Sequence, residues 1–78
     1  MEEYGSCLVV AKDGEEGALK SLLAGSEDIQ GVYEIGRRLI SVTFQRRLDS
    51  QEIEEVLSPF RDKIERWQPN YRMHSLTK

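Results

Sequence analysis

Apolar and polar positions alternate most regularly in the middle of the chain. Ile40, Val42 and Phe44 fall on one side of a two-residue repeat, and Leu39, Ser41, Thr43 and Gln45 fall on the other. That period is the signature of a strand with one buried face. It predicts a strand over Arg38–Arg46, preceded by another over Ile29–Ile35. The two would be joined at Gly36-Arg37, where Gly36 can supply the positive φ of a tight hairpin.

Before this hairpin, Met1–Ser6 reads as a polar lead-in and Cys7–Ala11 as a short strand. CLVVA is apolar on both sides and rich in β-branched valine, which suits a central position in a sheet. Lys12-Asp13-Gly14 then makes a turn, with Asp13 as N-cap and Glu16 as its capping-box partner. Ala18, Leu19, Leu22 and Leu23 recur at helical spacing, and Gly25 stands where a left-handed C-cap would end the helix. The expected helix covers about residues 14–24. Gly17 near its start costs about 1 kcal/mol against alanine, unless it lets the sheet approach closely.

After the hairpin, Asp49 and Glu52 form a second capping box. Ile53, Val56, Leu57, Phe60, Ile64 and Trp67 give the chain's strongest helical period. Pro59 breaks it, because proline removes a hydrogen-bond donor and clashes with the preceding turn. The pattern predicts a kinked helix, or two helices over about 50–57 and 59–67, with Trp67 closing the apolar stripe. Tyr71–Leu76, YRMHSL, reads equally as a fourth strand or as a frayed tail.

The order strand, helix, strand, strand, helix, strand predicts an α+β fold, a ferredoxin-like split βαβ sandwich (βαββαβ) whose fourth strand is the open question. Residues 1–78 would form a single α+β domain, with 1–6 and 77–78 as flexible ends. Strands one and three would be central neighbours, with strand four beside strand one. Both helices would cover the face carrying Ile40, Val42 and Phe44. The opposite, open face would carry some of Cys7, Val9, Ala11, Leu39, Ser41 and Thr43.

The stretch from Gly31 through Val42 to Leu57 combines a glycine-led strand, a Val-Thr-Phe strand and a Ser-x-Glu-Ile-x-x-x-Leu helix start. Over about a third of the chain it resembles heavy-metal-associated domains. That family binds metal through two cysteines in the loop before its first helix. Here the corresponding loop, Lys12–Glu16, has no cysteine, so the metal function does not carry over.

Composition narrows the class. The 78 residues are 38% hydrophobic and 32% charged, which suits a folded, soluble chain with a small core. Formal net charge is -3 but uneven, with two basic and eight acidic residues up to Glu34, and nine basic and six acidic from Ile35 onward. The single cysteine excludes an intrachain disulfide framework and fits a reducing compartment. The start MEEYGS is acidic, and Cys7–Ala11 is too short for a signal core. No apolar run reaches the roughly 18 residues needed to span a bilayer. These features lead us to expect a cytoplasmic protein without membrane contact.

No motif carries catalysis. Cys7 and His74 are too few ligands for a metal site in a monomer, and Cys7 lies in an apolar strand that would suppress its reactivity. Asp13, Glu15 and Glu16 serve a helix start, and three carboxylates around DGEEG would repel phosphate. The expectation is a protein that is not an enzyme and holds no cofactor and no metal. RNA-binding modules of this topology stack bases on aromatic residues of the two central strands, and these strands carry none at the open positions. Nucleic acid is thus an unlikely partner, although Arg37-Arg38 and Arg46-Arg47 at the two ends of strand three give a lesser, nucleic-acid accessory reading.

What remains is an apolar sheet face bounded by arginines, and such patches often mark contact surfaces. The leading expectation is a small non-enzymatic interaction module or regulatory subunit. It would use Cys7, Val9, Leu39, Ser41 and Thr43, with Arg37, Arg38, Arg46 and Arg47, to bind a protein partner or a second copy as a homodimer. Trp67 is either a core-edge residue or an anchor in the partner. The alternative is a regulatory domain that senses a small-molecule effector at a dimer interface or near the Asp13-Gly14 turn.

Overall fold

The computed structural model describes residues 2–70. Its elements are β1 (Tyr4–Ala11), α1 (Glu16–Ala24), β2 (Ile29–Gly36), β3 (Leu39–Leu48), α2 (Ser50–Leu57), a 3-10 helix (Ser58–Lys63) and β4 (Ile64–Pro69). The four strands form one sheet in the order β2-β3-β1-β4, with every neighbouring pair antiparallel. The chain is thus a small α+β domain with the ferredoxin-like split βαβ arrangement and an open sheet.

One face of the sheet is sealed by the helices. Cys7, Val9 and Ala11 of β1 and Ile40, Val42 and Phe44 of β3 pack with Leu19 and Leu23 of α1 and Ile53 and Leu57 of α2. Cys7 stands opposite Val42 and Val9 opposite Ile40, so the two central strands present their buried residues to the same side. The alternation at Ile40, Val42 and Phe44 therefore does what the sequence predicts.

The N-terminal half departs from expectation in its details. β1 begins at Tyr4, and Tyr4 and Ser6, expected in a flexible lead-in, are buried within it. Asp13 does not cap α1. A turn from Lys12 to Glu15, closed by a 2.9 Å bond from the Glu15 amide to the Lys12 carbonyl, occupies that stretch, with Gly14 at φ +84°. The helix therefore starts later, at Glu16, without a side-chain cap. Gly25 ends it in a right-handed conformation. Only Leu19 and Leu23 of its apolar residues are buried, and Leu22 is 46% exposed. In the hairpin the positive φ falls on Arg38, at 62°, and Gly36 is the last residue of β2.

The C-terminal half holds the largest correction. The capping box of α2 forms as expected: the Glu52 amide donates to Asp49 Oδ1 at 2.8 Å, and the Asp49 amide donates to Glu52 Oε1 at 3.0 Å. Past Pro59, however, there is no second α-helix. The chain tightens into the 3-10 turn and becomes β4 at Ile64. Ile64 and Trp67 are strand residues, and the sheet is completed by Ile64–Pro69. The strand expected over Tyr71–Leu76 lies outside the described residues.

Candidate interaction surface

β1 lies between β3 and β4, and its side chains decide what each sheet face offers. Cys7 and Val9, expected on the open face with Leu39, Ser41 and Thr43, are fully buried beneath the helices, as is Ala11. The strand is apolar on both sides, so sequence alternation does not say which set points inward. The pairing does: Leu8 stands opposite Ser41, and Val10 opposite Leu39. Leu8 and Val10 are thus the β1 residues of the open face. Cysteine's strong tendency to be buried was the one signal in the sequence that could have fixed the parity.

On β4, Arg66 stands opposite Val10 and Gln68 opposite Leu8. Leu8, Val10, Leu39, Arg66 and Gln68 line a shallow groove of about 210 Å³, which Trp67 also borders. Ser41 and Thr43 continue this face along β3, half-buried. Tyr33 of β2 stands opposite Ser41. Tyr33 and Ile35 are 62% and 55% exposed, the most exposed large apolar side chains among the described residues. Of the strand residues named on this face, the charged one is an arginine and none is a carboxylate.

The arginine pairs do not bracket one continuous patch. Arg38 donates to Glu65 Oε1 at 3.0 Å and to the Ala11 carbonyl at 3.3 Å, so it ties the hairpin to β4 and β1. Arg37 is exposed beside it and, with Arg38, Asp13 and Glu16, lines a polar cleft at that end of β3. At the other end, Arg46 donates twice to Glu52 Oε2 at 3.3 Å, and Arg47 reaches the Glu3 carbonyl at 3.3 Å. Three of the four arginines hold bonds within the chain.

Trp67 is not the end of a helical stripe. It stands opposite Val9 on the helix-covered side of β4, half-buried against the core. Its indole donates to Glu54 Oε2 at 2.9 Å. With Glu54, Leu57, Arg61 and Ile64 it borders a second groove, between α2 and β4.

The chemistry of the described residues is sparse. Burial pushes the Cys7 thiol up to about 12, which keeps it protonated and unreactive at neutral pH. No group of three or more metal-ligating side chains comes together among the described residues. No helix there is long and apolar enough to cross a membrane. No family model, no curated protein and no solved structure matches the chain, so the surface itself carries the functional reading.

Proposed function

We propose that this protein is a non-enzymatic interaction module whose open sheet face docks a protein partner. The observation that carries the reading is the placement of Leu8, Val10 and Leu39 together, on the two central strands, on the sheet face that the helices leave open. These side chains are only half-buried within the domain and gain further burial when a partner covers them. The open-face groove, about 210 Å³, is smaller than the roughly 300–1,000 Å³ typical of small-molecule pockets, so this face suits a protein better than an effector molecule. Arg66 at the rim, 3.9 Å from Glu65, and the lack of a carboxylate among the strand residues named on this face suit a partner segment that combines apolar side chains with acidic ones. Cys7 is structural in this reading.

The test is comparative capture with three baits: the wild-type chain, Leu39→Glu on the open face, and Glu55→Lys on α2. The reading expects a bound protein shared by the wild type and the Glu55 variant and lost with the Leu39 variant. That protein's isolated binding segment should then bind at least tenfold more weakly to Leu39→Glu. A partner set unaffected by Leu39→Glu, with the variant still folded by circular dichroism, would overturn it.

A further inference from the structure

The two edges of the sheet are treated differently. β4 is short, carries a register shift opposite Val10 and Ala11, has Glu65 and Arg66 at that irregularity, and ends in Pro69. Bulges, charges and proline are the devices that keep an edge strand from pairing with another chain. β2, the opposite edge, also carries register shifts, between Ile29 and Gly31 and between Glu34 and Gly36, which leave Gly31–Glu34 as its regular stretch, but it is otherwise little protected. It runs eight residues, IQGVYEIG, without proline, lysine or arginine. Its one charged side chain, Glu34, lies 3.6 Å from Lys20 of α1. No described strand lies beyond it, so its outer row of amide and carbonyl groups is unpaired by the sheet. Tyr33 and Ile35, the most exposed large apolar side chains described, both belong to this strand.

We propose that β2 pairs with β2 of a second copy of this chain, antiparallel about a two-fold axis, to make one continuous sheet of doubled width. A bare strand edge is complementary to another strand and to little else. The strand is also complementary to itself. With the axis on Val32, Tyr33 of each copy faces Gly31 of the other, and Glu34 faces Gln30, so like charges do not meet. The glycine is shaped for this. A Cβ at Gly31 would lie 3.1 Å from the hydroxyl and 3.2 Å from a ring carbon of its own Tyr33, so the ring already lies over this position. In the pair, each ring covers glycine on both strands. The Lys20–Glu34 pair of each copy lies on its own side of the axis, so each carboxylate keeps its own cation at the junction. This interface is separate from the open-face groove, and it leaves both open faces on the same side.

Sedimentation equilibrium from about 1 to about 500 µM, a range that brackets a micromolar to sub-millimolar Kd, tests the proposal. The expected result is a reversible dimer. Ile35→Lys and Tyr33→Lys, both at exposed positions, should each weaken it at least tenfold while circular dichroism stays unchanged. Val10→Lys, on the open face, should leave it intact. Amide exchange across residues 30–35 should slow as concentration rises, which gives a readout on the wild-type chain should a variant fail to fold. A monomer throughout the range, a dimer insensitive to both β2 variants, or a dimer lost only in Val10→Lys would overturn the proposal.

Discussion

Trp67 and Glu54 are joined by a hydrogen bond of 2.9 Å from the indole nitrogen to one carboxylate oxygen, and Arg61 holds the other oxygen at 2.9 Å. One side chain of α2 thus fastens both the 3-10 turn and β4. This is how a chain leaving a helix at Pro59 is brought back to the sheet within a few residues. Replacement of Glu54 by alanine should cost about 1 kcal/mol, the usual net worth of such a bond. Trp67 is the chain's single tryptophan, so its emission reports on this site alone. The substitution should shift that emission, and an unchanged spectrum would show that the bond is not held in solution.

The two leucines Leu57 and Leu22 should answer truncation very differently. Leu57 is 1% exposed in the core beneath the sheet, and Leu22 is 46% exposed on α1. Leu57→Ala should lower unfolding free energy by about 2–5 kcal/mol. Leu22→Ala should stay within about 0.5 kcal/mol of the wild type. Urea titration of both variants measures the contrast.

Alanine at Gly14 and at Gly17 should act with opposite sign, although the positions are three residues apart. Gly14 sits at φ +84° in the turn that precedes α1. A side chain there is strained, and Gly14→Ala should destabilise by about 1–2 kcal/mol. Gly17 is exposed in the first turn of α1 with nothing within 4 Å of an added Cβ, so it serves no close packing. Gly17→Ala should stabilise by up to about 1 kcal/mol through helix propensity. Thermal melts of the two variants should move in opposite directions.

Cys7 imposes a pH dependence. Its thiol ionises near pH 8.5 when the chain is unfolded but only at about 12 when buried in the fold. Between these values the unfolded chain binds fewer protons than the native one, so stability falls as pH rises. The loss approaches about 1.4 kcal/mol per pH unit from this group, and Cys7→Ala should remove that slope. Iodoacetamide should label the native thiol only as fast as the chain opens, and rapid stoichiometric labelling at pH 8 would contradict the burial.

The fold was legible wherever one periodicity had no rival. Ile40, Val42 and Phe44 alternate with polar neighbours, and only a half-buried strand satisfies that pattern. The capping box at Asp49 and Glu52 likewise forms as read. Ile64 and Trp67 were ambiguous, since a spacing of three extends a helical stripe yet also fits a strand containing a bulge. The register shift beside Ala11 lets Ile64 and Trp67 both reach the covered face. The candidate surface was only half legible for a related reason. Leu39, Ser41 and Thr43 were placed by their own alternation, but CLVVA has no polar residue to mark its outer side. Its parity is set by long-range pairing with β3, which no local pattern encodes. Tyr33 and Ile35 went unnoticed as surface residues because the exposure of an edge strand depends on strand order.

The central position of β1 has a consequence for synthesis. Its two partners are β3 and β4, and β4 ends at Pro69. The earliest of these four strands to be synthesised is therefore the last of them to have both its flanks covered. Until Ile64–Pro69 emerges, the nascent chain carries β1, with its Leu8 and Val10, as a bare margin. A product terminated before Ile64 would keep that margin open permanently, with the most apolar of the described strands displayed to every other chain in the cell. Messages or proteolytic cuts that stop short of β4 should accordingly yield material that aggregates or is degraded, even though most of the described residues of the sheet are present.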